Sequence, residues 1–269
     1  MKALKVLLTI FLAIVMFFSV TAFSVLTALR VVTSKNFLAA NIKDVTDTDK
    51  FDITTIIDDG DVSIDEFNEA MDELEEYISR EEMSNIIGDF SSQIIRYYVG
   101  INDSIDVSNV KKTLKEVAKK YEKKTGEDFD LDAAYADIDQ AVKDVKASVK
   151  DMNKNDKETL DILRAIFSNK LYYGTIAAII ICALLIIVVN KSIKPLVIAL
   201  IPISITNAAG TGIFALGSKA ANTTVTGIEA IIVKNLSGVF LKFFLVDIAI
   251  IILMIVLLIL LEKKEKQTN

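Results

Sequence analysis

Four stretches of the chain are apolar almost without interruption, at 6–29, 171–189, 196–216 and 239–261. A helix needs about 20 apolar residues to cross the ~30 Å hydrocarbon core of a bilayer, so each stretch predicts a membrane-spanning helix. Between the first and second, apolar residues recur at intervals of three and four, the signature of amphipathic helices. Ile64, Phe67, Met71, Leu74 and Ile78 make one face, which extends through Met83, Ile86, Ile87, Phe90, Ile94 and Ile95. A second helix starts near Asp106 and presents Val107, Val110, Leu114, Val117 and Tyr121, with Gly126 placed to end it. Asp130 caps a third.

The stripe of that third helix runs from Leu131 through Tyr135, Ile138, Val142, Val145, Val149, Met152, Leu160 and Leu163 to Phe167, then meets the second apolar block at Leu171. Unless 153–156 breaks it, 131–189 is one rod from domain to membrane. The segment 36–57 reads either as a short strand, from the alternation of Phe51, Ile53 and Ile57, or as a linker rich in Asp and Thr. The predicted fold class is therefore an all-α membrane protein. It has four transmembrane helices and a helical extracytoplasmic domain inserted between helices 1 and 2.

Charge fixes the expected orientation. Lys2 and Lys5 precede 24 uncharged residues, too many for the ~7–15 of a signal-peptide core, so 1–30 reads as an uncleaved signal-anchor. With both termini in the cytoplasm of a multi-pass cell-membrane protein, the turn at 190–194 and the basic tail 263–269 are inside, as the positive-inside rule favours. The acidic region 31–170 then lies outside, and 171–262 holds the last three spans. Residues 36–170 carry 32 acidic and 18 basic side chains, against a net charge of −6 for the whole chain. Mean hydropathy of +0.44 alongside 25% charged residues requires this segregation into apolar blocks and a solvated domain.

Composition also narrows the chemistry. The chain has no His and no Trp, and its single cysteine, Cys182, sits inside an apolar block. That removes Ser-His-Asp and Cys-His catalysis and the usual zinc sites, and we expect neither enzymatic activity nor a cofactor. Nothing in the sequence points to nucleic acid.

One stretch resembles a calcium loop. In "DDGDVSIDEF" a register with Glu66 at position 12 puts Gly60 at 6, Asp59 at 5 and Asp61 at 7, but leaves Ile57 at 3, and Asp58 falls out of register. Ser63 and Glu66 are better read as a capping box, with Val62 and Phe67 as its hydrophobic staple. Asp58, Asp59, Asp61 and Glu66 remain weak candidates for a cation site.

Inside the apolar blocks the exceptions matter more. Asp247 in "KFFLVDIAI" is an ionisable residue in the last apolar block, a turn or two below the outer interface. It reads either as an interfacial residue, wet or paired with Lys242 five residues before it or with a neighbouring helix, or as a group that moves ions, protons or substrate. Asn207 can hydrogen-bond across helices, and Gly210 and Gly212 offer small surfaces for helix packing. The connection around Ile228, Ile231, Ile232 and Leu236 predicts a short interfacial helix. Seven lysines from Lys111 to Lys124 make a basic face, read as a solvated surface or as a contact for anionic lipid or wall polymer.

One span, a large outer domain and three further spans joined first by a tight basic turn is a layout that resembles the FtsX and MacB permease class. That likeness implies transmission of force or ATPase-driven motion across a membrane, with the ATPase a separate subunit. It carries no functional residue with it. Two functions are expected: a non-enzymatic envelope protein, monomeric or homo-oligomeric, whose outer domain binds a protein partner and couples it to the membrane helices; or a transporter subunit with Asp247 and the third span at a pathway or subunit contact.

Overall fold

The computed structural model describes residues 2–46, 77–221 and 228–268. Among them are nine helices and no strand: α1 (Lys2–Val32), α2 (Lys35–Thr46), α3 (Arg80–Tyr98), α4 (Ser108–Thr125), α5 (Leu131–Lys150), α6 (Lys154–Phe167), α7 (Asn169–Asn190), α8 (Lys194–Ala221) and α9 (Ile228–Thr268). Four stretches are long and apolar enough to cross a membrane, in α1, α6–α7, α8 and α9. The chain is a helical membrane protein with multiple candidate spans. The calcium-like stretch, the helix built on Ile64, Phe67 and Met71, and the possible strand at 51–57 all lie outside the described residues.

The helix ends are set by local chemistry. Ser79 and Glu82 close a capping box in which each side chain bonds the other's backbone N–H, so α3 starts afresh at Arg80 instead of continuing an earlier helix. Gly126 ends α4 in the left-handed conformation at φ 76°, which glycine adopts without a Cβ clash. Asp130 caps α5 by accepting from the Ala133 N–H at 2.9 Å.

The rod expected over 131–189 is broken twice. Asn153 accepts from the Asp156 N–H at 2.9 Å and Ser168 from the Leu171 N–H at 3.2 Å, so α6 and α7 each restart on a short polar side chain. By contrast, the connection expected to form a separate interfacial helix is continuous with the last span: α9 runs through Ser237 and Gly238 without a break, and no Pro interrupts it.

The chain divides into two compact units. The first comprises Met1–Val31, Ile166–Thr224 and Leu236–Asn269, and holds the spans. Leu12, Met16, Cys182, Ile186, Leu196 and Ile203 form its core, with Met16 and Ile186 fully buried. Phe18, Val188, Ile213 and Leu216 lie on the opposite faces and are well exposed, the surface a bilayer covers. Polar side chains pin the helix ends: Asn190 Nδ2 donates to Thr9 Oγ1 at 2.9 Å, and Arg30 donates to the Phe167 carbonyl at 3.1 Å while lying 4.1 Å over the Tyr172 ring.

The second unit is Val32–Ala165 with Val225–Asn235. Its tightest contact is α2 against α3, where Gly88 faces the backbone of Ala39. Asp89, itself buried, meets Lys35 at 3.3 Å, and the Ser92 hydroxyl donates to the Thr33 carbonyl at 2.8 Å. The start of α9 joins this unit too: Asn235 Nδ2 donates to Asn41 Oδ1 at 3.1 Å and to Asp44 Oδ2 at 3.2 Å, beside a Lys234–Asp44 ion pair at 3.6 Å. On the other side of α3, Glu82 accepts from Lys120 of α4, and Tyr121 packs edge-on against both Tyr77 and Phe129.

The hydrogen bond from Lys120, followed by those from Ser79, holds the Glu82 carboxyl below its ordinary value of 4.5. A depressed folded value means that the stabilisation is present above the unfolded value and disappears as pH falls through the depressed one. Thermal melts should therefore show Glu82→Gln losing less stability than the parent on acidification below about pH 4.5, with only a small difference at neutral pH because the carboxylate is partly exposed.

Candidate functional site

Within the first unit, polar side chains from three helices line up along α8. Asn207, buried, lies one turn before Thr211 and accepts a long hydrogen bond of 3.4 Å from Thr21 of α1. The Thr211 hydroxyl lies 3.0 Å from the Asn207 carbonyl, 3.2 Å from the Ala208 carbonyl and 3.2 Å from Asp247 Oδ2 on α9. The sequence singled out Asn207 and Asp247 separately, and the structure links both to Thr211. Thr211 carried a signal of its own, being a hydroxyl one turn from Asn207 and flanked by two glycines.

The other candidates fall differently. Lys242 is exposed and makes no ion pair with Asp247; the two residues are 140° apart around α9 at 100° per residue, which turns the lysine away. Gly212 does permit close packing, since a Cβ there would meet the Phe244 ring at 3.1 Å. At Gly210 an added Cβ would have nothing within 4 Å, so that glycine makes no close helix contact. The acids Asp58, Asp59, Asp61 and Glu66 are outside the described residues. Among those described, no group of three or more acids or cysteines is arranged to hold a metal ion.

The second unit bears a different feature, on α4. Val110, Val117 and Ala118 are buried, which fixes the inward face of this helix. Of its seven lysines, Lys111 pairs with Asp139 at 2.6 Å, Lys120 pairs with Glu82, and Lys124 lies 4.9 Å over the Tyr77 ring. The remaining four, Lys112, Lys115, Lys119 and Lys123, are exposed and form no ion pair among the described residues. Their spacing of three, four and four places them in one stripe about 16 Å long, opposite the buried face.

These features define a helical, multi-pass membrane protein with a polar cluster among its spans and a basic stripe on its other unit. No family model matches the chain, and no curated protein or solved structure is significantly similar to it.

Proposed function

We propose that the chain is a non-enzymatic membrane protein whose helical unit lies outside the cytoplasm and binds an acidic face of a protein partner through α4. The observation that supports this reading is the stripe of Lys112, Lys115, Lys119 and Lys123. Lysines that serve the fold are engaged, as Lys111 and Lys120 are; these four extend from the outer face of a helix in a region whose net charge is otherwise strongly negative. Complementary charge of this kind steers association and excludes partners of the wrong sign. A photo-crosslinking residue placed at Glu116, beside the stripe, should yield a discrete adduct in cells. That adduct should vanish when the four lysines are reversed to glutamate, whereas a crosslinker at Ala136 on α5 should give none.

The outward placement has its own test. Ala147 is exposed on α5, while the native Cys182 is buried in the core of the spans. A membrane-impermeant maleimide should label Ala147→Cys on intact cells and leave the parent unlabelled. Labelling only after permeabilisation would reverse the orientation.

A second reading, a transporter or permease subunit, draws support from the Asp247–Thr211 contact. Placing a carboxyl group at bilayer depth costs about 2.5–3.5 kcal/mol on insertion scales, a penalty seldom retained without use. In that reading the motive force comes from an ATPase subunit or from an ion gradient.

A further inference from the structure

We infer that Asp247 and Thr211 form a binding site for one exchangeable proton, shared between Asp247 Oδ2 and Thr211 Oγ1. The inference extends the transporter reading by naming the ion, and it rests on that reading only for the use made of the proton.

A count of donors and acceptors carries it. Three oxygens, the carbonyls of Asn207 and Ala208 and Asp247 Oδ2, surround the Thr211 hydroxyl at 3.0–3.2 Å. The hydroxyl has one proton to give. Donated to the Asn207 carbonyl, the nearest of the three, it leaves two acceptor oxygens facing each other 3.2 Å apart, Thr211 Oγ1 and Asp247 Oδ2. Donated to Asp247, it leaves a charged carboxylate with a single hydrogen bond among the described residues, inside an apolar span where an incompletely paired charge is costly. One additional proton resolves both arrangements: Asp247 donates to Thr211, and Thr211 donates to the Asn207 carbonyl. The chain of bonds ends at the Asn207 carbonyl, and the Asn207 side chain separately accepts from Thr21.

Among the described residues no fixed cation offers an alternative. On α9, Lys242 points away from Asp247. On α8, Lys194 lies 3.9 Å from Glu262 near the other end of the helix, and Lys219 is eight residues, about 12 Å along the axis, beyond Thr211. On α1, which reaches the cluster through Thr21, Arg30 is engaged by Phe167, Asn169 and Tyr172. A proton suits the geometry better than a metal ion because the acceptors surround a hydroxyl oxygen, the arrangement of a relay and not of a cage.

The test uses the full-length protein in liposomes and dicyclohexylcarbodiimide, an apolar reagent that modifies carboxyl groups in their acid form. Peptide mass analysis should find the adduct on Asp247, and Asp247→Asn should lose it while retaining the same melting temperature. Labelling should fall about tenfold per pH unit once the acid form is the minority species. Thr211→Val, which keeps the side-chain shape, should shift this pH profile, because the relay partner is gone. Absence of adduct on Asp247 at every pH overturns the inference, as does suppression by sodium at constant pH, which makes the site one for a metal cation. Loss of the transporter reading is separate: it follows if Asp247 labels as expected but no proton-dependent flux accompanies the protein in the same liposomes.

Discussion

Gly88→Leu is expected to unfold the helical unit of this protein while leaving its membrane helices assembled. A Cβ built on Gly88 would sit 2.7 Å from the Ala39 amide nitrogen and 2.8 Å from its Cα, closer than real Cβ atoms come to anything. These atoms belong to backbone, so rotation of a side chain cannot relieve the contact. Either α2 and α3 separate or the substitution is excluded. Gly→Ala in a helix interior gains about 1 kcal/mol from propensity, whereas overpacking a tight contact costs about 1–3 kcal/mol and more for a branched four-carbon side chain. Separation would also loosen Asp89 from Lys35 and Ser92 from Thr33, both of which bridge this interface. Limited trypsin digestion of the full-length protein should reveal early cleavage at lysines of α4 and α5, with α7 to α9 protected. Gly210→Ala supplies the contrast, because an added methyl has nothing within 4 Å and should be neutral to mildly stabilising. If Gly88→Leu resists trypsin as the parent does, the close α2–α3 crossing is wrong.

Reversal of the four lysines on α4 that form no ion pair among the described residues should abolish partner binding without disturbing the fold. The combined Lys112→Glu, Lys115→Glu, Lys119→Glu and Lys123→Glu variant leaves the Lys111–Asp139 and Lys120–Glu82 pairs and the Lys124–Tyr77 contact in place. Its melting temperature should therefore stay close to the parent's. Juxtaposed like charges across an interface cost several kcal/mol, and a loss of about 2.7 kcal/mol is already a hundredfold in affinity. The neutral Lys→Gln set should weaken binding less than the reversal, and added salt should weaken binding of the parent. An unchanged crosslink in the reversed variant would leave the stripe a solvated surface.

The two variants act on residues that a sequence treats alike. Gly88 and Gly210 are both helical glycines, yet only one is crossed by a neighbouring backbone. Seven lysines share a 14-residue segment, and only packing separates those that hold α4 to α3 and α5 from those that face outward. Signals that were local proved readable. Gly126 and Asp130 end and begin their helices as expected, and the Ser79–Glu82 box was present in the same S-x-x-E form as Ser63–Glu66. It was obscured by an apolar period that runs across it.

The class is legible from the residues alone: four apolar blocks each long enough to cross a bilayer, and helices with caps that depend on neighbours three or four residues away. Both properties arise from short-range interactions, composition over about 20 residues in one case and local hydrogen bonds in the other. Which polar groups meet depends on the packing of the helices. Asp247 and Thr211 are 36 residues apart, Thr21 and Asn207 are 186 apart, and Asn235 reaches Asn41 across 194. Such contacts depend on how helices rotate and cross, and 100° of rotation, one residue of helical phase, is enough to turn Thr211 away from Asp247.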